Sequence, residues 1–198
     1  MSPAAPLPAA SAGRRRRGVV ALLRSPAGFG AVEFALVAPM LLLLYLGGSE
    51  ISMAMSVSRR VAHAAATVAD LASQKSVLEP NELRGIMQSA KAVIAPYSSQ
   101  TLQLRLSSVK IDAAGKATVE WSCPSTGLAR LATGTPYALP TSFAAARNRS
   151  LIVAETLFSY SPVSLTAFTG AFQMNSTELV DPRIGTSVSS AGCDAVAL

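Results

Sequence analysis

The sequence predicts an α+β fold in which a long N-terminal helix packs on a small, mainly antiparallel sheet, together with a second helix. Three observations lead to this prediction. Residues 28–48 form one membrane-length apolar run, residues 49–74 keep a helical spacing of apolar side chains, and the alternation typical of strands begins at Leu102. The 198 residues are enough for one folded domain beyond the apolar run and hardly for two.

The apolar run contains one carboxylate, Glu33, near its start, and a basic leader precedes it. Five arginines and no acid lie before Glu33: Arg14, Arg15, Arg16, Arg17 and Arg24. A run of about 20 apolar residues can span the hydrocarbon core, and the larger basic cluster stays on the cytoplasmic side. We therefore expect a cytoplasmic leader at residues 1–28, a transmembrane helix at 29–48 and an exported domain at 49–198.

The formal net charge of +6 belongs to the leader. Without its five arginines, 12 of the 17 basic residues remain against 11 acidic residues, a net charge of +1. No basic stripe with interleaved aromatic side chains follows, so the charge distribution argues against nucleic-acid binding.

The helix is predicted to continue past the membrane, from about Phe29 to Gln74. Pro39 is tolerated inside a membrane helix and predicts a kink there. Beyond the run, small apolar residues recur at spacings of three and four, as in an amphipathic helix: Ala54, Val57, Val61, Ala64, Val68 and Leu71. The stripe from Val61 to Leu71 packs either on the sheet of its own domain, which we favour, or on other subunits. For residues 30–57 we favour lateral packing in the membrane.

The exported domain shows signals for a second helix and for three or four strands. Glu79-Pro80 predicts the start of the helix, and Pro96 predicts its end. Leu102, Leu104 and Leu106 alternate with polar residues as in a half-buried strand. The apolar parity then shifts to Val109 and Ile111, which suggests a bulge at Ser107-Ser108.

The remaining strands follow a turn at residues 112–116. The return strand carries four alternating residues that should share one face: Ala117, Val119, Trp121 and Cys123. A connection at residues 124–149 contains a short predicted helix near Leu128–Leu131. Residues 151–160 are apolar on both faces and predict a central strand, and a weaker strand signal covers residues 173–180.

The residue types that carry catalysis or metal binding are sparse. Cys123 and Cys193 match no zinc spacing; an even cysteine count in an exported domain favours a disulfide, and two unpaired buried thiols are the alternative. His63 is the only histidine and lies on the polar face of the helix. No phosphate-binding loop, G-x-S-x-G or HExxH motif occurs. We therefore expect no enzyme activity, no cofactor and no metal site.

The start of the apolar run resembles a known processing motif. Gly28-Phe29-Gly30-Ala31-Val32-Glu33 is similar to the type IV prepilin cleavage motif, with Gly before the cut, an apolar first mature residue and Glu as the fifth. More closely, RRRRG followed by GAVEFALVAPMLLLLYLGG resembles the TadE/TadG-like pseudopilins of tight-adherence (Flp) pilus systems. The chain length fits the shorter TadE type. Five later stretches look like landmarks of that family's exported domain: Ala95-Pro96-Tyr97, Val119-Glu120-Trp121-Ser122, Leu151-Ile152-Val153-Ala154-Glu155, Tyr160-Ser161-Pro162 and Asp181-Pro182-Arg183.

The resemblance implies a pilin-like architecture and a non-enzymatic role in pilus assembly, adherence and biofilm formation. It implies a cut by a prepilin peptidase between Gly28 and Phe29. Glu33 would then pair with the new α-amino group of Phe29 or with that of a neighbouring subunit, which offsets the cost of a carboxylate in an apolar site.

The resemblance also implies a location and a set of partners. The location is the bacterial inner membrane, crossed once, with a periplasmic domain. The implied partners are membrane lipid, the peptidase, other pilins or minor pseudopilins and the assembly machinery. The alternative is an uncleaved signal anchor whose exported domain binds a ligand or an envelope partner.

Overall fold

The computed structural model describes residues 26–162 and 170–193. Residue contacts divide the chain into two units, one that ends at Ser49 and one that begins at Glu50. The five leader arginines on which the predicted topology depends lie outside the described residues.

Helix α1 spans Pro26–Ser73, close to the predicted bounds of 29–74. The helix begins with Pro26, and proline suits the first turn because the N–H groups there have no partner within the helix. Pro39 lies inside the helix, where its missing N–H leaves the carbonyl of Ala35 without its usual donor. The helix continues on both sides of Pro39, and the kink stays a prediction.

The second unit packs the C-terminal part of α1 and a second helix, α2 (Pro80–Ile94), on a four-stranded antiparallel sheet. The short strand β1 (Val77–Leu78) follows α1 and precedes α2 along the chain. The sheet consists of β2 (Leu102–Ile111), β3 (Ala117–Pro124), β4 (Arg149–Tyr160) and β5 (Phe172–Val180), in the order β3-β2-β4-β5. The last strand, β6 (Ser189–Ser190), pairs in parallel with β1. The α+β prediction is confirmed, with β4 inside the sheet as its two apolar faces indicate.

The main core lies between the two helices and the sheet. The small apolar residues of α1 are fully buried or nearly so: Val57, Val61, Ala64, Ala65, Val68, Ala69 and Ala72. They share one cluster with apolar residues of α2, β2 and β4. From Val61 onward, the apolar stripe of α1 therefore packs within its own domain, which is the alternative that we favoured, and its alanines let the helix approach the sheet closely. Val57 is buried in the same core, so the expectation of lateral packing for residues 30–57 was wrong at this end.

A second, smaller core lies on the other face of the sheet and explains the parity shift in β2. This strand pairs with β4 in unbroken register from Leu102 to Ile111, so it has no bulge of its own in that pairing. Val109 and Ile111 simply face the side opposite to Leu102. They are buried there under the β3–β4 connection, which supplies Tyr137, Leu139, Phe143 and Ala146.

The bulge lies in β3, and the predicted position at Ser107-Ser108 was wrong. Val119 pairs with Val109 and Trp121 pairs with Ser108, so Glu120 is the extra residue. An extra residue reverses the alternation of side chains. The four apolar residues of β3 are therefore split between the two faces, contrary to our prediction, and only Cys123 and Trp121 pack with the main core.

The β3–β4 connection also differs from the prediction. Residues 128–131 form no helix, and a short 3-10 turn at Thr141–Phe143 occurs instead. This turn carries Phe143 into the second core. The connection is therefore ordered by the apolar face that it covers rather than by a local helix.

Candidate functional site

The predicted cut residues lie in the first turn of α1. Gly28 and Phe29 are helical, and Glu33 follows Phe29 by four residues. This spacing places Glu33 on the helix face of Phe29 and about 6 Å along the axis. Both side chains are exposed. If a peptidase cuts the bond after Gly28, this turn has to open, and glycine weakens a helix by about 0.5–1 kcal/mol relative to alanine.

Residues 29–49 of the first unit present an apolar surface on all sides. No side chain between Phe29 and Ser49 is buried. The helix contains an 18-residue window with a mean hydropathy of 2.1, none of it buried, and is long and apolar enough to cross a membrane once. A helix that is apolar all round needs an apolar environment, which lipid or neighbouring helices can supply.

The second unit begins with a buried carboxylate, Glu50. The hydroxyl of Tyr160 donates a hydrogen bond to Oε2 of Glu50 across 3.5 Å, and the two residues are 5% and 7% exposed respectively. Burial, and then the charge of Glu50, raises the pKa of Tyr160. The ring of Tyr160 meets that of Phe172 edge to face, with centroids 5.3 Å apart. Our sequence reasoning assigned no role to Glu50, although an acid just past a membrane-length run was a visible signal.

Besides Tyr160, which bonds to Glu50, two more of the five landmark stretches attach to α1. Arg60 donates a hydrogen bond to the carbonyl of Ala95 across 2.6 Å, and its guanidinium carbon lies 5.9 Å from the ring centroid of Tyr97. Arg183 pairs with Asp70 through its side chain, and its backbone N–H donates to the carbonyl of Ser73 across 2.8 Å. These stretches therefore fix the helix to the rest of its domain.

A disulfide fastens the C-terminal part of the second unit. Cys123, near the end of β3, is bonded to Cys193, and their Cα atoms lie 5.5 Å apart. The indole Nε1 of Trp121 donates to the carbonyl of Val188 across 2.7 Å, and Val188 is buried. With the pairing of β6 on β1, these contacts hold the chain from Val188 to Cys193 against the domain.

The bulged residue Glu120 borders a cleft of about 340 Å³. Its Oε2 accepts hydrogen bonds from the hydroxyls of Ser108 at 2.8 Å and Ser150 at 3.2 Å. Lys110 and Arg149 line the same cleft. The cleft thus combines both signs of charge, and the serines hold the carboxylate in place.

The side chain of His63 is exposed, and its Nδ1 lies 3.0 Å from Oγ1 of Thr67. Within residues 26–162 and 170–193, no group of three or more His, Cys, Asp or Glu side chains could hold a metal ion.

Comparison with known proteins places the similarity at the N-terminal helix. Residues 28–70 match the model of the family described as TadE-like protein. No curated protein and no solved structure matches the chain significantly. The match begins at Gly28 and ends within α1, so it contains Phe29, Glu33 and Pro39 and none of the five downstream landmarks. Residues 28–70 are thus similar to the TadE-like family, and the resemblance seen in the sequence is confirmed for this segment.

Proposed function

We propose that the chain is a non-enzymatic, pseudopilin-like minor subunit that serves assembly of tight-adherence pili. Helix α1 inserts into the inner membrane with the leader on the cytoplasmic side and the second unit in the periplasm. A prepilin peptidase removes residues 1–28. The mature subunit then associates with pilins or other minor pseudopilins through contacts between helices.

The observation that carries this proposal is the family match that starts at Gly28. The matched residues include the cut position and the carboxylate five residues into the mature chain. The exposed apolar surface of α1 from Phe29 to Ser49 supports assembly through this helix, because none of its side chains is buried in the part of the chain that the structure describes. The packing of residues 57–72 within the domain leaves this N-terminal part for lateral contacts.

The mature N-terminus tests the proposal. The full chain is produced in cells with an active prepilin peptidase, extracted from membranes and analysed by intact-mass and N-terminal peptide mass spectrometry. We expect an N-terminus at Phe29 in the wild type and an uncut leader in Gly28→Ala. Gly30→Ala is the matched control: it changes a glycine in the same region that is not at the cut, and we expect it to be processed.

An intact leader in the wild type, in cells that process another prepilin, would contradict the proposal. It would favour the alternative of an uncleaved signal anchor with a ligand-binding or partner-binding periplasmic domain.

A further inference from the structure

Apolar side chains stay exposed at the start of the second unit, after the membrane-length run. Ile51, Met53 and Met55 are 64%, 40% and 54% exposed. Arg59 is the next charged residue after Glu50, and it is exposed. At 1.5 Å per residue, residues 50–55 add about 9 Å of helix, which is close to the depth of one headgroup region. The first two turns of the second unit thus have the length and polarity of an interfacial segment.

The sheet brings a second apolar group close to Glu50. Glu50 is one peptide bond from Ser49, and its contact with Tyr160 fixes the end of β4 beside it. The ring of Phe172, at the start of β5, packs on Tyr160 and is 39% exposed. Phe172 therefore lies near Glu50, the first residue of the second unit. Aromatic residues are enriched at the interfaces between membrane and water.

We propose that Ile51, Met55 and Phe172 form a lipid-contact surface that seats the second unit on the bilayer interface before assembly. The partner is the boundary between headgroups and acyl chains. Ser49, Glu50 and Ser52 interrupt the apolar sequence between the membrane-length run and this patch, but the side chain of Glu50 is buried, and the next charged residue is Arg59. Arg59 can reach lipid phosphates from its position beyond the patch. The inference rests on the proposed function only in requiring that α1 crosses a membrane.

Nitroxide labels on the full chain test the contact with lipid. The chain is reconstituted in vesicles of phosphatidylcholine and phosphatidylglycerol, and a label is placed in Met55→Cys, Phe172→Cys or Gln173→Cys. Gln173 is exposed on the opposite face of β5, so its label reports the depth of this strand end while the contact between Tyr160 and Phe172 stays intact. Leu42→Cys reports on the membrane helix. Ile184→Cys and Val77→Cys are matched controls, since they are exposed apolar residues elsewhere in the unit.

Power saturation then compares collisions of each label with O₂, which concentrates in lipid, and with a water-soluble nickel chelate. We expect O₂ collisions to dominate at residues 42, 55, 172 and 173, and nickel collisions to dominate at residues 77 and 184. If nickel collisions dominate at residues 172 and 173 while O₂ collisions dominate at residue 42, the lipid-contact surface is overturned but the membrane insertion of α1 is not. Shielding of residues 172 and 173 from both reagents would overturn it in favour of a protein partner. Dominant nickel collisions at residue 42 would overturn the membrane insertion of α1 as well.

Discussion

Arg105 and Glu155 lie directly opposite each other on β2 and β4, and Nε of Arg105 donates a hydrogen bond to Oε2 of Glu155 across 2.6 Å. Their side chains are only 17% and 21% exposed. Arg105 also donates to the carbonyl of Ala129 across 2.9 Å, and the hydroxyl of Tyr137 lies 3.4 Å from Oε1 of Glu155. One ion pair therefore ties the two inner strands of the sheet to the long β3–β4 connection.

Glu155→Gln should destabilise the second unit by about 1–3 kcal/mol, because it leaves the partly buried Arg105 without its charged acceptor. Urea unfolding in detergent, followed by the fluorescence of Trp121, the only tryptophan, measures the change. Glu82→Gln is the matched control, since Glu82 pairs with Lys75 at 2.8 Å but both side chains are at least 40% exposed. We expect a loss below about 1 kcal/mol in the control. Equal losses of unfolding free energy in the two variants would contradict the conclusion that burial makes the pair of Arg105 and Glu155 the stronger one.

Tyr137 should make stability depend on pH in the alkaline range. Burial, and next the negative charge of Glu155, raises the pKa of Tyr137 from 10.0 to about 12. The folded state thus keeps the phenol proton at a pH where the unfolded state loses it. The contribution of the protonated Tyr137 to the free energy of unfolding is complete below pH 10, and it is lost as pH rises from 10 to about 12. We expect the free energy of unfolding to fall more steeply over this range in the wild type than in Tyr137→Phe.

Two measurements check this assignment. Urea unfolding from pH 8 to pH 11 compares the slopes of wild type and Tyr137→Phe, and identical slopes would remove Tyr137 as the cause. Tyrosinate absorbance, taken as the difference between the two proteins, follows the titration of Tyr137 itself. In the Glu155→Gln background its midpoint should move down, because the charge that opposes ionisation is gone.

The disulfide between Cys123 and Cys193 should contribute substantially to stability because it closes a long loop. The two residues are 70 positions apart. A loop of this length predicts a loss of about 4 kcal/mol when the bond is removed, on a chain-entropy model. Cys123→Ser, Cys193→Ser and the double variant should lose similar amounts in urea unfolding, since each removes the same bond. In the wild type, thiol labelling with detection by mass should require a reductant; labelling of both cysteines without one would refute the bond.

Glu33→Ala should spare membrane insertion and processing but reduce pilus assembly. The carboxylate is predicted to pair with the α-amino group of Phe29, on its own or a neighbouring subunit, and its loss leaves that cation in an apolar setting. An immunoblot of sheared surface pili measures assembly. The mass of the mature N-terminus measures processing, so the two effects can be told apart. Glu178→Ala, which removes an acid from β5, is the control and should assemble normally. Normal piliation in Glu33→Ala would count against the pairing.

The helices of this chain could be predicted closely from sequence. Apolar spacings of three and four extend to Leu71, and the helix ends at Ser73. The Glu79-Pro80 pair marks the start of α2, where Glu79 and Glu82 form a capping box. The hydrogen bond from Lys75 is the main cause that lowers the pKa of Glu82. These signals depend on residues within a few positions of each other, which is why a single sequence carries them.

The faces of the sheet could not be predicted in the same way. Alternation shows which side chains avoid water but not which surface covers them. Val109 and Ile111 are buried by a connection from residues 137–146, about 30 positions away. The parity shift that suggested a bulge in β2 was in fact a change of the buried face. The real bulge, at Glu120, is visible only from the pairing of β3 with β2.

The sequence by itself determined the membrane-length helix, its lone carboxylate at Glu33 and the similarity to the TadE-like family that begins at Gly28, because each is a local pattern of residue types. Only the tertiary structure decided that Glu50 lies under Tyr160 and that Phe172 lies beside them. Glu50 and Tyr160 are 110 positions apart, and no local pattern encodes their contact. Their pairing follows from the order of strands in the sheet, which brings the end of β4 to the first turn of the helix beyond the membrane-length run.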